Sequence, residues 1–170
     1  MVPEKLISFR VYQDGDDLLG ISDVALPKLD SITETVKGAG VAGEIDDPTI
    51  GHFGSMELEL NWRSLVKSNI VLAKPTGVHL DLRGACQGHD SAKNVLKTMP
   101  VKIVVEGTPK STDLGKLDMG ATTDTKNTIE VTYIKITVDG EPVLEIDKFN
   151  YICVIDGVDY MADIRDALGL

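Results

Sequence analysis

The side chains that could do chemistry are three histidines, two cysteines, a glycine-rich hexapeptide and a surplus of carboxylates. The hexapeptide is Gly38-Ala39-Gly40-Val41-Ala42-Gly43, which matches GxGxxG. In a dinucleotide site that turn opens a helix, whose N-terminal N–H groups hold the pyrophosphate. Here it runs into Glu44-Ile45-Asp46-Asp47-Pro48, with Gly51 and Gly54 to follow. Pro48 and the glycines oppose a helix, and the three carboxylates repel phosphate. The segment is therefore expected to be a flexible loop rather than a nucleotide site. His52, His79 and His89 lack i, i+4 spacing, and no cysteine stands near a histidine at finger spacing, so no metal-ligand set is predicted. Asp14-Gly15-Asp16-Asp17 is a charged turn without the later ligands of a calcium loop. No GxSxG is present, and neither Cys86 nor Cys153 has an activating histidine nearby in the chain. The pairs Glu57/Glu59 and Glu145/Asp147 alternate with apolar neighbours, as on any solvated strand face. The expectation is a non-enzyme, with no catalytic residue, no metal and no cofactor.

The elements that must carry these side chains are set by composition and period. A chain of 170 residues with 42% hydrophobic content can bury a real core, and its length favours one domain spanning residues 1–170. With 17 basic against 27 acidic residues the formal net charge is -10, which argues against nucleic-acid binding and against anionic membranes. It does not oppose passage of DNA, because an acidic wall is one to which DNA does not adhere. Two cysteines are too few for a disulfide framework, and Cys153 sits in the apolar run Tyr151-Ile152-Cys153-Val154-Ile155 as a small core residue. Both are expected to be reduced thiols, made in a cytoplasm. Met1-Val2-Pro3-Glu4-Lys5 does not open a secretory signal, and no apolar run approaches the roughly 18 residues of a membrane span.

Period-two alternation dominates. Met56, Leu58, Leu60 and Trp62 alternate with Glu57, Glu59, Asn61 and Arg63; Val78, Leu80 and Leu82 with His79, Asp81 and Arg83; Val101, Ile103 and Val105 follow Pro100. Between Thr128 and Val138 the apolar phase changes at Tyr133-Ile134, which predicts a bulge or a strand facing two partners. Asp139-Gly140 is a hairpin turn returning through Val143–Asp147, and a strand over Phe149–Ile155 is closed by Asp156-Gly157. Near the start, Ile7, Phe9 and Val11 share a face ahead of the turn at Asp14-Gly15, and strands are expected over Leu18–Ala25 and Ser31–Lys37. Short helices are expected at Ser64–Val71, at Ser91–Leu96, and at the C-terminus from an Asp159 N-cap through Tyr160, Ile164 and Leu168 to Gly169. Long loops are expected at 38–54 and 108–126. The fold class is mainly β: a barrel or sandwich of antiparallel strands with a flanking C-terminal helix and long loops.

Several ordered stretches resemble a known family. They are Phe9-Arg10-Val11-Tyr12-Gln13-Asp14-Gly15, Gly20-Ile21-Ser22-Asp23-Val24-Ala25-Leu26-Pro27-Lys28-Leu29, Lys37-Gly38-Ala39-Gly40, Val138-Asp139-Gly140-Glu141-Pro142-Val143-Leu144-Glu145-Ile146-Asp147, and the ending Val154-Ile155-Asp156-Gly157-Val158-Asp159 with Arg165-Asp166-Ala167-Leu168-Gly169-Leu170. This order resembles the major tail tube proteins of contractile, P2-like phage tails and of related R-type bacteriocins. It covers nearly the whole chain and is most specific at both ends. The resemblance implies hexameric rings stacked into an inner tube around a channel, within a virion tail or phage-tail-like particle assembled in the bacterial host cytoplasm. It also implies sheath, baseplate and tape-measure proteins as partners, and DNA only in transit.

Strand chemistry points the same way, because pairing edge to edge around a closed ring removes exposed strand edges. Glu57, Glu59 and Asn61, or Glu130, Thr132, Lys135, Thr137, Glu145 and Asp147, are the candidate lumen-facing sets. The segment with Gly38, Gly40, Gly43, Glu44, Asp46, Asp47 and His52 is the candidate inter-ring loop, ordering when it docks. The alternative is a stand-alone β-domain that binds a small ligand or carbohydrate, but aromatic residues are only 5% of the chain and Trp62 is its single tryptophan.

Overall fold

Alternating apolar residues make strands along most of the chain. The computed structural model describes residues 1–170. β1 (Val2–Gln13) turns at Asp14-Gly15 into the two-residue β2 (Asp16–Asp17), and β3 (Ile21–Ala25), β4 (Ser31–Lys37), β5 (Glu44–Phe53) and β6 (Glu57–Trp62) follow. After a short α1 (Lys67–Val71) come the long β7 (Val78–Asp90), β8 (Val95–Asp113) and β9 (Thr125–Val138). The chain ends in β10 (Glu141–Asp147), β11 (Ile152–Ile155), β12 (Val158–Asp159) and α2 (Ala162–Leu168). Every strand pairing is antiparallel. The Asp-Gly turns form as their residue types dictate: Asp139 and Gly140 both take positive φ, at 50° and 79°, and Asp156 and Gly157 do likewise at 52° and 76°.

Ten strands form one sheet, and β9 is its branch point. One edge of β9 pairs with β8 along nearly its whole length. The other edge is shared: Thr125–Glu130 pairs with β6, and Tyr133–Val138 pairs with β10. The phase change in the sequence lies at this division. Glu106 opposes Tyr133 and Gly107 opposes Val131, leaving Thr132 as the extra residue of a bulge. The extra residue restores the pattern, so Ile129, Val131 and Ile134 all point into the core. They meet Leu58, Leu60 and Trp62 of β6, Leu80 and Leu82 of β7, and Ile103 and Val105 of β8, within one cluster of 18 buried apolar residues. Each such side chain contributes about 1.5–3 kcal/mol by leaving water.

The structure corrects several boundaries. Residues 38–54 are not a long loop: Glu44–Phe53 is β5, which pairs only with β4 in a separate two-stranded sheet. Of residues 108–126, Thr108–Asp113 continue β8, and Thr125 already belongs to β9. Ser91–Leu96 is no helix: Ser91–Asn94 make the β7–β8 turn, with Asn94 at φ 51°, and Val95 and Leu96 open β8. Helix α1 starts at Lys67, after Val66 at the cap position. Helix α2 starts after Met161, so Asp159 is not its N-cap residue, although its Oδ1 accepts the Met161 N–H at 3.0 Å. Gly169 closes α2 in the left-handed conformation, as its position predicts. The buried anchor at that end is Met161, with Ile164 packed partly on the core, whereas Tyr160 and Leu168 are exposed.

Gly107 lies on β8 at the bulge, and a Cβ there would collide with the Glu130 carbonyl oxygen of β9. That neighbour is backbone and cannot rotate away. Gly107→Ala is therefore expected to destabilise the subunit by about 3 kcal/mol. Urea unfolding checks this: a midpoint equal to wild type would show that the close approach does not constrain the sheet.

Candidate assembly surfaces

Strand β1 pairs with β7 on one edge from Val2 to Gln13. On its other edge only Tyr12 and Gln13 are paired, with β2, and Val11 O accepts the Leu18 N–H at 2.8 Å. From Val2 to Arg10 the second edge has no partner strand within the chain. The outer edge of β3 is likewise unpaired. Exposed runs of backbone donors and acceptors are templates for pairing with another chain. Val2, Leu6 and Ile7 add exposed apolar surface to the β1 segment.

The β4–β5 hairpin collects the residues expected to join rings. Gly38, Gly40 and Gly43 form its tip, all with positive φ. Glu44, Asp46 and Asp47 lie on β5, where Thr35 Oγ1 donates to Asp46 at 3.1 Å and Lys37 faces Glu44 at 3.9 Å. His52 sits near the base, its Nδ1 2.9 Å from the Ile50 carbonyl oxygen. Between residues 31 and 53 the hairpin carries four carboxylates against one lysine. Its Ile32, Val36, Ile45 and Ile50 are exposed, Ile50 at 63%. Gly51 anchors the base: it takes φ 68° and has the Met161 side chain packed against it, which a Cβ would displace. Gly54 N–H donates to Asp30 O at 2.8 Å to close the base.

The candidate lumen residues lie across the solvent side of β6, β9 and β10. Neighbouring lysines offset their charge. Lys110 bonds Glu57 and lies 3.7 Å from Glu130, Lys126 lies 3.5 Å from Glu59, and Lys135 lies 3.7 Å from Glu145. The bond to Glu57, with the field of both glutamates, raises the Lys110 ammonium pKa. Burial, aided by the charges of Glu145, Glu106 and Asp147, raises the Tyr133 hydroxyl. Asn61 donates to Asp23 at 2.8 Å. Asp147 is a turn residue at the end of β10: its Oδ1 accepts the Phe149 and Asn150 N–H groups at 3.0 and 3.2 Å. Of the pairing lysines, Lys135 stood in the candidate set, whereas Lys110 and Lys126 escaped because they fell in a segment read as loop. Period two extended through Thr108–Asp113 would have exposed Lys110.

The C-terminal helix is tied down by charge. Arg165 Nη1 donates to the Tyr151 carbonyl at 2.8 Å, and its Nη2 bonds Asp159. Hydrogen bonds from Arg165 and from the Met161 N–H lower the Asp159 carboxyl below its ordinary range. Cys153 is buried beside this segment, and loss of water raises its thiol pKa.

Residues 3–169 match the family model described as phage tail tube protein FII. The chain is 30% identical to the tail tube protein of Escherichia phage P2, over 99% of each. It is 29% identical to the major tail tube protein of Serratia phage KSP20, over 99% of this chain and 98% of the relative.

Because the folded pKa of Asp159 is depressed, its contribution to stability is present above the unfolded value, about 3.9, and is lost as pH falls through the folded value. Below about pH 4, while Trp62 fluorescence still reports a native core, the amide shifts of Ala162–Leu168 should move toward random coil. Asp159→Asn should show the loosened helix already at pH 7, with no further acid step. Helical shifts that ignore both pH and substitution would mean that the pair does not hold α2.

Proposed function

The chain belongs to the phage tail tube protein FII family and is a structural tail tube protein, and from that premise we propose that its copies close into hexameric rings, which stack into the inner tube of a contractile tail. The observation that carries the proposal is the unpaired edge of β1 from Val2 to Arg10. A sheet of this length with free edges invites aggregation, whereas closure about a rotation axis pairs each edge with a neighbour and leaves none. The β4–β5 hairpin bridges one ring to the next. Its tip glycines allow it to settle, and its four apolar side chains lose water on the adjoining ring.

In this reading the solvent face of β6, β9 and β10 lines the channel, with Glu57, Glu59, Asn61, Glu145 and Asp147 among its residues. Lys110, Lys126 and Lys135 offset part of its charge, which leaves the wall mildly acidic. Such a wall offers DNA neither a run of cations to bind nor bare apolar surface. Acidic residues also predominate in the hairpin and the C-terminal segment, outside these strands. Sheath, baseplate and tape-measure proteins are the partners that a tube in a contractile tail requires. Assembly takes place in the host cytoplasm, and the product is a virion tail or a bacteriocin-like particle.

Negative-stain microscopy of the concentrated purified protein should show rings or tubes, and a monodisperse monomer there would count strongly against the proposal. Excising Thr35–Asp46 and closing the hairpin with a two-residue Asn-Gly turn should leave a folded subunit that no longer forms tubes. Tubes of undiminished length from that variant would remove the hairpin from any stacking role.

A further inference from the structure

The most exposed large apolar side chains of the subunit are neither on the hairpin nor on the β1 edge. Leu117 is 90% exposed and Met119 is 100% exposed, in the turn between β8 and β9. The turn is nonetheless well braced. Lys116 N–H donates to Thr123 O at 3.0 Å, Thr123 N–H to Arg63 O at 2.9 Å, and the buried Thr125 hydroxyl to Leu114 O at 3.1 Å. Gly115 packs so closely on the Thr123 carbonyl that no Cβ fits. A turn closed at its base, with the Ala121 N–H donating to Asp118 O at 3.2 Å nearer its tip, loses less conformational entropy on burial than an unbraced loop, which favours a knob in an interface.

A matching hole exists. Between β1, β3, β7 and β8 lies an open cleft of about 370 Å³, lined by eleven residues of which eight are apolar, with Phe9, Val24, Leu82 and Ile103 among them. Its only charged lining groups are Asp23 and Arg83. The knob presents the opposite pair, because Lys116 and Asp118 flank Leu117. The hole flanks the middle of β8, at Val101 and Ile103, and the knob lies beyond its C-terminal end: from Ile103 to Leu114, a rise of about 3.3 Å per residue amounts to roughly 35 Å of strand. They therefore meet between copies rather than within one. A contact of this unlike-to-unlike kind propagates, giving a ring or a filament.

We propose that the Leu114–Gly120 turn of one subunit inserts Leu117 and Met119 into the β1/β3/β7/β8 cleft of a second copy, with Lys116 toward Asp23 and Asp118 toward Arg83. This rests on the self-assembly reading above and specifies one of its contacts. Hairpin residues such as Val36 are the competing occupant.

Cys86 lines the cleft and is partly exposed, whereas Cys153 is buried, so the chain carries its own reporter. Leu117→Cys and Met119→Cys proteins would be assembled and treated with diamide, which takes up the two thiol hydrogens as the disulfide forms. At least one variant should give a ladder of disulfide-linked multimers on a non-reducing gel, and adding Cys86→Ser should abolish it. Separately, the double variant Leu117→Glu, Met119→Glu should keep the wild-type melting temperature, because both side chains are solvated in the free subunit, yet form no tubes. Tubes from that double variant would overturn the inference. So would a ladder from Val36→Cys with none from either turn position, since the hairpin would then occupy the cleft. If wild-type protein forms no assemblies at all, the tube reading fails, and this contact with it, before any variant is compared.

Discussion

Strand β9 has two edges and three partners, and the subunit is built around that excess. An edge hydrogen-bonds one strand at a time, so β6 and β10 must divide the edge opposite β8. The division needs a bend, and the bend needs an unpaired residue, which is Thr132. Without it a strict two-residue period would turn either Ile129 and Val131 or Ile134 out to water. Gly107 yields the room for the bend on the facing strand. Core, branch and outer face thus share one origin.

The branching also distributes the edges. Long strands β7, β8 and β9 lie inside the sheet, which leaves β1 with its short partner β2, β3 and the two-residue β12 to end it. Many of the apolar residues that remain in water lie at the start of β1, on the β4–β5 hairpin, in the β8–β9 turn and in the C-terminal segment. A family of tail tube proteins is a natural setting for this pattern. Exposed apolar surface and unpaired strand edges of this kind favour association with further copies over an isolated subunit.

Charge is distributed as unevenly as apolar surface. On the open face of the sheet Glu57, Glu59, Glu130 and Glu145 each have a lysine within 4 Å. The chain from Asp156 to Leu170 instead has four aspartates and one arginine, and the hairpin is similarly acidic. Exposed pairs such as Lys126 with Glu59 contribute little to stability, at most about 1 kcal/mol each. Their effect is on the field, since they offset most of the charge on this face, whereas the hairpin and the C-terminal segment keep a larger acidic surplus.

The amino-acid sequence by itself determined the elements whose causes are local. Period two in Met56–Trp62, Val78–Leu82 and Val101–Val105 requires strands with one buried face, and Asp-Gly at 139–140 and 156–157 requires tight turns, because both effects act between near neighbours. The phase change near Tyr133 even marked the branch within a residue or two. Sequence also carried the family, through stretches spread over nearly the whole chain. It could not reveal which loops were strands. Residues 44–53 hold Pro48, Gly51 and three carboxylates, a composition that describes a loop, yet they pair with β4 because a two-stranded ribbon in water demands no buried face. Nor could it show that Lys110 answers Glu57, that Arg165 holds Asp159 or that Cys86 lines a cleft. Those relations join residues brought together by the path of the sheet, and only the tertiary structure decides that path.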